Sequence, residues 1–100
     1  MELAVIYLRQ NKTESIDDLL NSADIYIANL KVKYKIINVI VDNNNDRSQL
    51  DNFLNSPFMN FDIFVVDHNI ADEFDLKIIN ELSRMENFRV EFLMRDYRYK

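Results

Sequence analysis

The stretch "LAVIYLRQNKTESIDDLL", residues 3–20, contains the change of period that decides the fold. It opens on the apolar run "LAVIYL", the pattern of a strand covered on both faces. From Ser15 the period changes. Apolar residues recur every three or four positions, at Ile16, Leu20, Ala23, Ile27 and Leu30, so one face of a long helix is apolar. Ser15 with Asp18 three residues on has the form of a capping box for that helix.

The same alternation continues along the chain. "KIINVIVD" (residues 35–42) reads as a second strand, and "NNND" (residues 43–46) as a turn. Asp46 is placed to cap a short helix with Leu50, Phe53 and Leu54 on its apolar face, ended by Pro57. "FDIFVVD" (residues 61–67) is a third strand. A third helix begins between Asp72 and Asp75, with Phe74, Ile78, Ile79, Leu82 and Met85 expected on its buried side. Lys77 and Glu81 lie one turn apart on its exposed side. "FRVEFLM" (residues 88–94) is a fourth strand. The order β-α-β-α-β-α-β shows no internal repeat or linker. It predicts one α/β domain over residues 1–100, a three-layer sandwich around a mainly parallel four-stranded sheet.

Composition narrows the function. With 100 residues, 48% of them apolar, the chain can bury one core. No apolar stretch is long enough to span a bilayer, and the start lacks the pattern of an export signal. The absence of cysteine excludes disulfides and thiolate metal sites and fits a cytoplasmic protein. A net charge of −5 weighs against nucleic acid as a partner. Only the tail "RDYRYK", residues 95–100, interleaves basic and aromatic residues as single-strand binding needs. The absence of glycine excludes GxGxxG and Walker A loops, whose backbone must approach phosphate closely. Asparagine is expected to replace glycine where the chain turns. The wealth of Asn, Ile, Lys and Tyr is what AT-rich coding DNA produces.

In an open parallel sheet, ligands bind beyond the carboxyl ends of the strands. Three loops are expected there. The first carries Arg9 and Asn11, the second Asp42 and Asn43–Asn45, and the third Asp67, His68, Asn69, Asp72 and Glu73. Arg9 is rarely needed for packing at such a place. Two roles are open to it: binding an anion, or pairing with Asp42 or Asp67. Asp67, His68, Asp72 and Glu73 are carboxylate and imidazole donors within a short span, though a polar turn before a helix explains them as well. His68, the only histidine, reads as an exposed loop residue, and Tyr26 and Tyr34 as the edge of the core.

These loops resemble the catalytic domain of the serine recombinases, the resolvase and invertase family. That family opens with a strand running into Y-x-R-V-S-T, in which the serine attacks DNA phosphate and the arginine helps bind it. "YLRQNKT" keeps Tyr7 and Arg9 but has Asn11 where the serine stands. "VDNNNDRSQLDNFL" resembles the family's second strand and D-R-x-x-L segment, with Asp42, Asp46, Arg47 and Leu50 in the matching places. The family's third-strand signature, close to L-D-R-L-x-R, falls on Asn69, Ile70, Ala71, Asp72, Glu73 and Phe74, so its aspartate and both arginines are lost. "VEFL" resembles the family's fourth strand. The resemblance spans nearly the whole chain, by pattern and order more than by identity.

It implies a resolvase-like fold without the family's chemistry. Attack on a phosphodiester needs a nucleophile and cations around the phosphoryl oxygens. Asn11 supplies no nucleophilic oxygen, Ala71 and Phe74 replace cations, and Asp72 and Glu73 add negative charge. Thr13 and Ser15 lie deeper in the loop, where capping explains Ser15 better than a displaced nucleophile does. Only six residues follow "VEFLM", so the family's long dimer helix and separate DNA-binding domain are not expected. "FDIFVVDHNIAD" also resembles receiver domains, whose phosphoacceptor aspartate ends the third strand. Their metal requires an acidic pair after the first strand, where this chain has Arg9.

The leading expectation is a catalytically inactive serine-recombinase-like domain, without cofactor or metal. It would act as a protein-interaction or regulatory module of a mobile element, its partner another protein, a homodimer being one form. Its remnant-site candidates are Arg9, Asn11, Asp42, Arg47 and Asp67. The alternatives are a small anion- or nucleotide-binding α/β domain, using Arg9, Arg47 and Asn43–Asn45, or a receiver-like domain.

Overall fold

A computed structural model of the chain describes residues 1–56, 60–67 and 73–94. In chain order the elements are β1 (Glu2–Arg9), α1 (Ile16–Lys33), β2 (Tyr34–Asp42), α2 (Ser48–Asn55), β3 (Ile63–Asp67), α3 (Glu73–Glu86) and β4 (Arg89–Leu93). The strands pair in the order β2-β1-β3-β4, every pair parallel. The α/β architecture and element order expected from the alternation are therefore present. The chain moves first to one side of β1 and then to the other, so the strand order switches between β1 and β3. That switch is where an open α/β sheet forms its crevice.

The continuous apolar runs take the central places. Residues 4–8 of β1 and all of β3 are buried, because helices cover both faces. Under α1 lie Ala4, Ile6, Leu8, Leu19, Ala23 and Val65; under α2 and α3 lie Val5, Tyr7, Leu50, Phe64, Val66 and Ile79. Phe53 stacks on Phe64 at 5.7 Å between ring centroids, and Phe61 meets Phe88 at 4.8 Å. At the amino ends of the strands, Asp62 accepts from the Leu3 N–H at 2.7 Å and Arg89 grips Glu2 with two bonds of 2.7 and 2.8 Å.

Local chemistry sets the element ends. Ser15 caps α1, its hydroxyl accepting from the Asp18 N–H at 3.0 Å. With no glycine to form a left-handed cap, α1 ends as Tyr34 turns extended into the β-branched run of β2. Among the described residues the left-handed turn positions fall on Asn45 and Asn87, each with φ of 59°, as expected of asparagine in a chain without glycine. Pro57, and with it the expected end of α2, lies outside the described residues.

Two helices are rotated from their expected phase. In α1 Leu19 is fully buried while Leu20 is 40% exposed. Both leucines fit the spacing from Ile16 to Ala23, but half-buried Tyr26 lies on the Leu19 side of the stripe and draws its axis that way. In α3 Ile79 is buried and Ile78 and Leu82 are half-buried, but Phe74 is 60% and Met85 74% exposed. The face of α3 that turns inward is centred on Asp75, a carboxylate that nothing in its local sequence marks as buried.

Leu19→Ala is expected to lower unfolding free energy by ~2–5 kcal/mol, whereas Leu20→Ala costs less than ~1 kcal/mol. Urea unfolding of the two variants checks this, and equal losses would place the helix in the wrong phase.

Candidate functional site

Tyr7 and Arg9 lie two apart on β1 and therefore project from the same face of the sheet, toward α2 and α3. A continuous chain of polar contacts starts from them. The Tyr7 hydroxyl donates to Asp42 Oδ2 at 2.6 Å and accepts from Arg9 Nε at 3.0 Å. Arg9 Nη2 donates to Asp75 Oδ2 at 2.9 Å, and Asp75 Oδ1 lies 2.7 Å from Arg47 Nη2. The Arg47 guanidinium sits 5.2 Å from the centre of the Phe74 ring. One path thus joins β2, β1, α3 and the start of α2 at the carboxyl end of the sheet.

Asp42 does more than receive the tyrosine. Its Oδ1 accepts from the Gln49 N–H at 2.9 Å and its Oδ2 from the Leu50 N–H at 3.1 Å. Asp46 Oδ1 accepts from the Ser48 N–H at 2.9 Å. The N-cap position itself is Arg47, whose side chain makes no capping bond. Capping by Asp46 was expected; the share taken by Asp42, from the neighbouring strand, was not. The N–H groups of Ser48, Gln49 and Leu50, which would otherwise attract an external anion, are directed at the chain's own carboxylates. The hydrogen bonds at Ser48 hold the Asp46 carboxyl below the ordinary range.

The loop after β1 is closed on itself. Asn11 Oδ1 accepts from both the backbone N–H and the hydroxyl of Thr13, at 2.8 and 2.7 Å. The Asn11 N–H donates to Glu14 Oε1 at 3.1 Å, and Gln10 Nε2 donates to the Glu14 carbonyl at 2.8 Å. Gln10 also ties this loop to the next, its Oε1 accepting from the Asn44 N–H at 3.0 Å. The Thr13 hydroxyl is thus committed to Asn11, and the Ser15 hydroxyl to α1.

Of the candidate residues, Arg9, Asp42 and Arg47 come together in one polar path. Asn11 lies in the adjoining loop, and Asp67 stands apart from Arg9's charge. Asp67, fully buried, accepts from the Arg9 backbone N–H at 3.4 Å. Among the described residues the Arg9 guanidinium therefore pairs with Asp75 rather than with Asp42 or Asp67. The phenol of Tyr7 stands between Arg9 and Asp42, and strand register fixes that separation. Asp75 and Glu14, both buried, are the members that sequence reasoning passed over. His68, Asn69, Ile70, Ala71, Asp72 and the tail from Arg95 to Lys100 lie outside the described residues. So does most of the expected acidic loop, and among the described residues no three such donors gather as a metal site would need. Among them, too, no helix is long and apolar enough to cross a membrane.

The protonation of the path is fixed by its surroundings. Burial first, and then the hydrogen bond to Asp42, push the Tyr7 phenol well above its ordinary value of 10.0, against an opposing pull from Arg9. Burial alone would lower Arg9; its bonds to Tyr7 and Asp75 outweigh that and raise it, so it stays charged. The arrangement holds a neutral phenol and a guanidinium, with no hydroxyl made nucleophilic. Comparison with protein-family models, with curated proteins and with solved structures finds no match to this chain.

Two outcomes are expected of the path. Truncating fully buried Asp75 removes the carboxylate that Arg9 and Arg47 share, so Asp75→Ala should cost ~3–5 kcal/mol. Arg47→Ala, at a side chain 38% exposed, should cost about 1 kcal/mol. Chemical denaturation of both variants ranks them, and the opposite ranking would remove Asp75 from its central place. The second outcome is alkaline. A phenol with a raised folded pKa contributes stability that is complete below its unfolded value and is lost as pH rises above it. Wild-type unfolding free energy should fall between about pH 10 and about pH 11.5 more steeply than that of Tyr7→Phe. Parallel titrations would show equal slopes if the phenol were not held protonated.

Proposed function

We propose that the chain is a catalytically inactive, serine-recombinase-like domain that works as a protein-interaction or regulatory module. One observation carries this reading: the chain's own carboxylates fill the places where such a frame would bind an anion. Asp75 lies between Arg9 and Arg47, and Asp42 and Asp46 accept the first N–H groups of α2. Asn11 adds a side chain with no nucleophilic oxygen, held in its own turn. The parallel sheet with its switch between β1 and β3 is compatible with the reading. Service to a mobile element rests on the resemblance alone.

The experiment mixes the protein with supercoiled and with nicked plasmid. Neither strand cleavage nor a covalent protein–DNA adduct is expected, from the natural chain or from Asn11→Ser. The serine would meet two arginines, Arg9 and Arg47, whose charge is already engaged by Asp75. Reproducible cleavage by the natural chain would end the proposal.

A second reading, an anion-binding domain, is favoured by one detail. Arg47 Nε is buried and has no hydrogen-bond partner among the described residues. Thermal shifts with inorganic phosphate and nucleotides separate the two readings. Stabilisation that disappears in Arg9→Ala or Arg47→Ala would favour anion binding, and its absence favours the interaction module.

A further inference from the structure

α1 covers one face of the sheet with Leu19, Ala23, Tyr26 and Leu30 on its inner side. Its outer side is not uniformly polar. Asn21, Ile25, Ala28 and Val32 recur along it at steps of four, three and four, the spacing of a coiled-coil seam. All four are exposed, Ile25 by 68% and Val32 by 78%. A helix lying on one sheet needs a single apolar stripe, so this second one is not used by the chain's own core.

What fits against that seam is set by the charges beside it. Asp24 and Lys31 stand seven residues apart on one flank, each immediately before an aliphatic seam position. The other flank carries Ser22 and Asn29, which are uncharged. Within α1 neither Asp24 nor Lys31 has a charged residue three or four positions away, and among the described residues neither makes an ion pair. The whole helix has the same polarity, with Asp17 and Asp18 in its first turn and Lys31 and Lys33 in its last. A helix that complements it must present the reverse order. α1 itself, turned end for end, does so. A two-fold axis across such a pair keeps each flank facing its own counterpart, so Asp24 meets Lys31 of the second copy at two equivalent places. Set parallel, the two copies would bring acid beside acid at one end and base beside base at the other.

We infer that the outer face of α1 pairs antiparallel with the same face of a second copy of this chain. Ile25 of each copy then meets Ala28 of the other, and the small alanine lets the two helices approach closely. Val32 lies beside Asn21 at either end of the seam, where water still reaches the carboxamide. The Asp24–Lys31 pairs fix which way the helices run, and the aliphatic groups supply the burial. The inference goes beyond the proposed function, since it uses neither Arg9, Arg47 nor Asp75, and either can fail alone.

The test is sedimentation velocity of the full chain across a wide concentration range. Two such helices side by side make a small interface, roughly 1,000 Å² in total, so a dimer is expected to form as concentration rises. Ile25→Lys and Val32→Lys each set lysines into the seam and should weaken it by about tenfold or more. Asp24→Lys alone, or Lys31→Asp alone, opposes like charges at two places and should weaken it by about tenfold. The double variant, Asp24→Lys with Lys31→Asp, opposes unlike charges again and should return the dimer close to its original strength. Met85→Lys, at an α3 position 74% exposed, should leave the dimer unchanged. A chain that stays monomeric throughout overturns the inference. So does a dimer indifferent to the seam lysines, one that the double reversal fails to restore, or one weakened equally by Met85→Lys.

Discussion

Among the described residues, the polar path at the carboxyl end of the sheet is arranged around one buried carboxylate. Asp75 is fully buried, and an ionised carboxyl in such surroundings is penalised by several kcal/mol unless cations and donors surround it. Arg9 from β1 and Arg47 from the start of α2 supply the charge, at 2.9 and 2.7 Å. The requirement then reaches back into the fold. For Asp75 to meet both guanidinium groups, α3 must turn that face inward, which moves Phe74 and Met85 outward. Phe74 in turn lies under the Arg47 guanidinium, so the aromatic ring displaced from the core shields the second cation. Its place in the first turn of α3 suits Asp75 further, since the helix dipole favours a negative group there.

The second constraint is the strand period of β1. Tyr7 and Arg9 share a face, and the intervening Leu8 packs under α1 on the other side. The phenol is therefore fixed between the guanidinium and Asp42, satisfying Arg9 Nε with its oxygen and Asp42 with its proton. A phenylalanine there would fill the same volume and leave both groups short of a partner. Asp42 is held in turn by the α2 backbone, so the helix is docked to β2 by its N–H groups as well as by Leu50. The network links four elements whose contacts would otherwise be apolar and tolerant of sliding.

Much of this was legible in the sequence, and what was not shares a physical character. Alternating apolar runs and helical stripes specify the layers, because each follows from near neighbours along the chain. Ser15 as a cap and asparagine in the left-handed turns are local effects too. Arg9 was legible as an unusual cation at a strand end, but its partner was not. Asp75 stands 66 residues away, in a segment whose apolar residues fit a helical stripe with either of two phases. The choice between Leu19 and Leu20 fails for the same reason, being settled by what lies opposite. Glu14 reads as one more polar residue of a loop, and only the folded turn shows its carboxylate receiving the Asn11 N–H. Spacing in sequence reports which faces exist, and long-range charge decides how they are turned.

That same charge bears on what the crevice can accept. Asp42, Asp67 and Asp75 are all buried at its floor, while the described cations that reach it are Arg9 and Arg47. Two like charges ~4 Å apart repel by about 1 kcal/mol in water and about 4 kcal/mol at a protein surface. An entering phosphate would have to displace Asp75 from both arginines and leave that carboxylate buried beside the newcomer. Leaving a buried carboxylate without its paired cations is strongly destabilising, which on the proposed reading disfavours that exchange. On the proposed reading, chemistry was therefore surrendered twice over, once in the side chain at Asn11 and once in the charge pattern around it. The second loss is the deeper one. The carboxylates that fill the cradle also cap α2 and set the rotation of α3, so emptying the cradle would take the local fold apart with it.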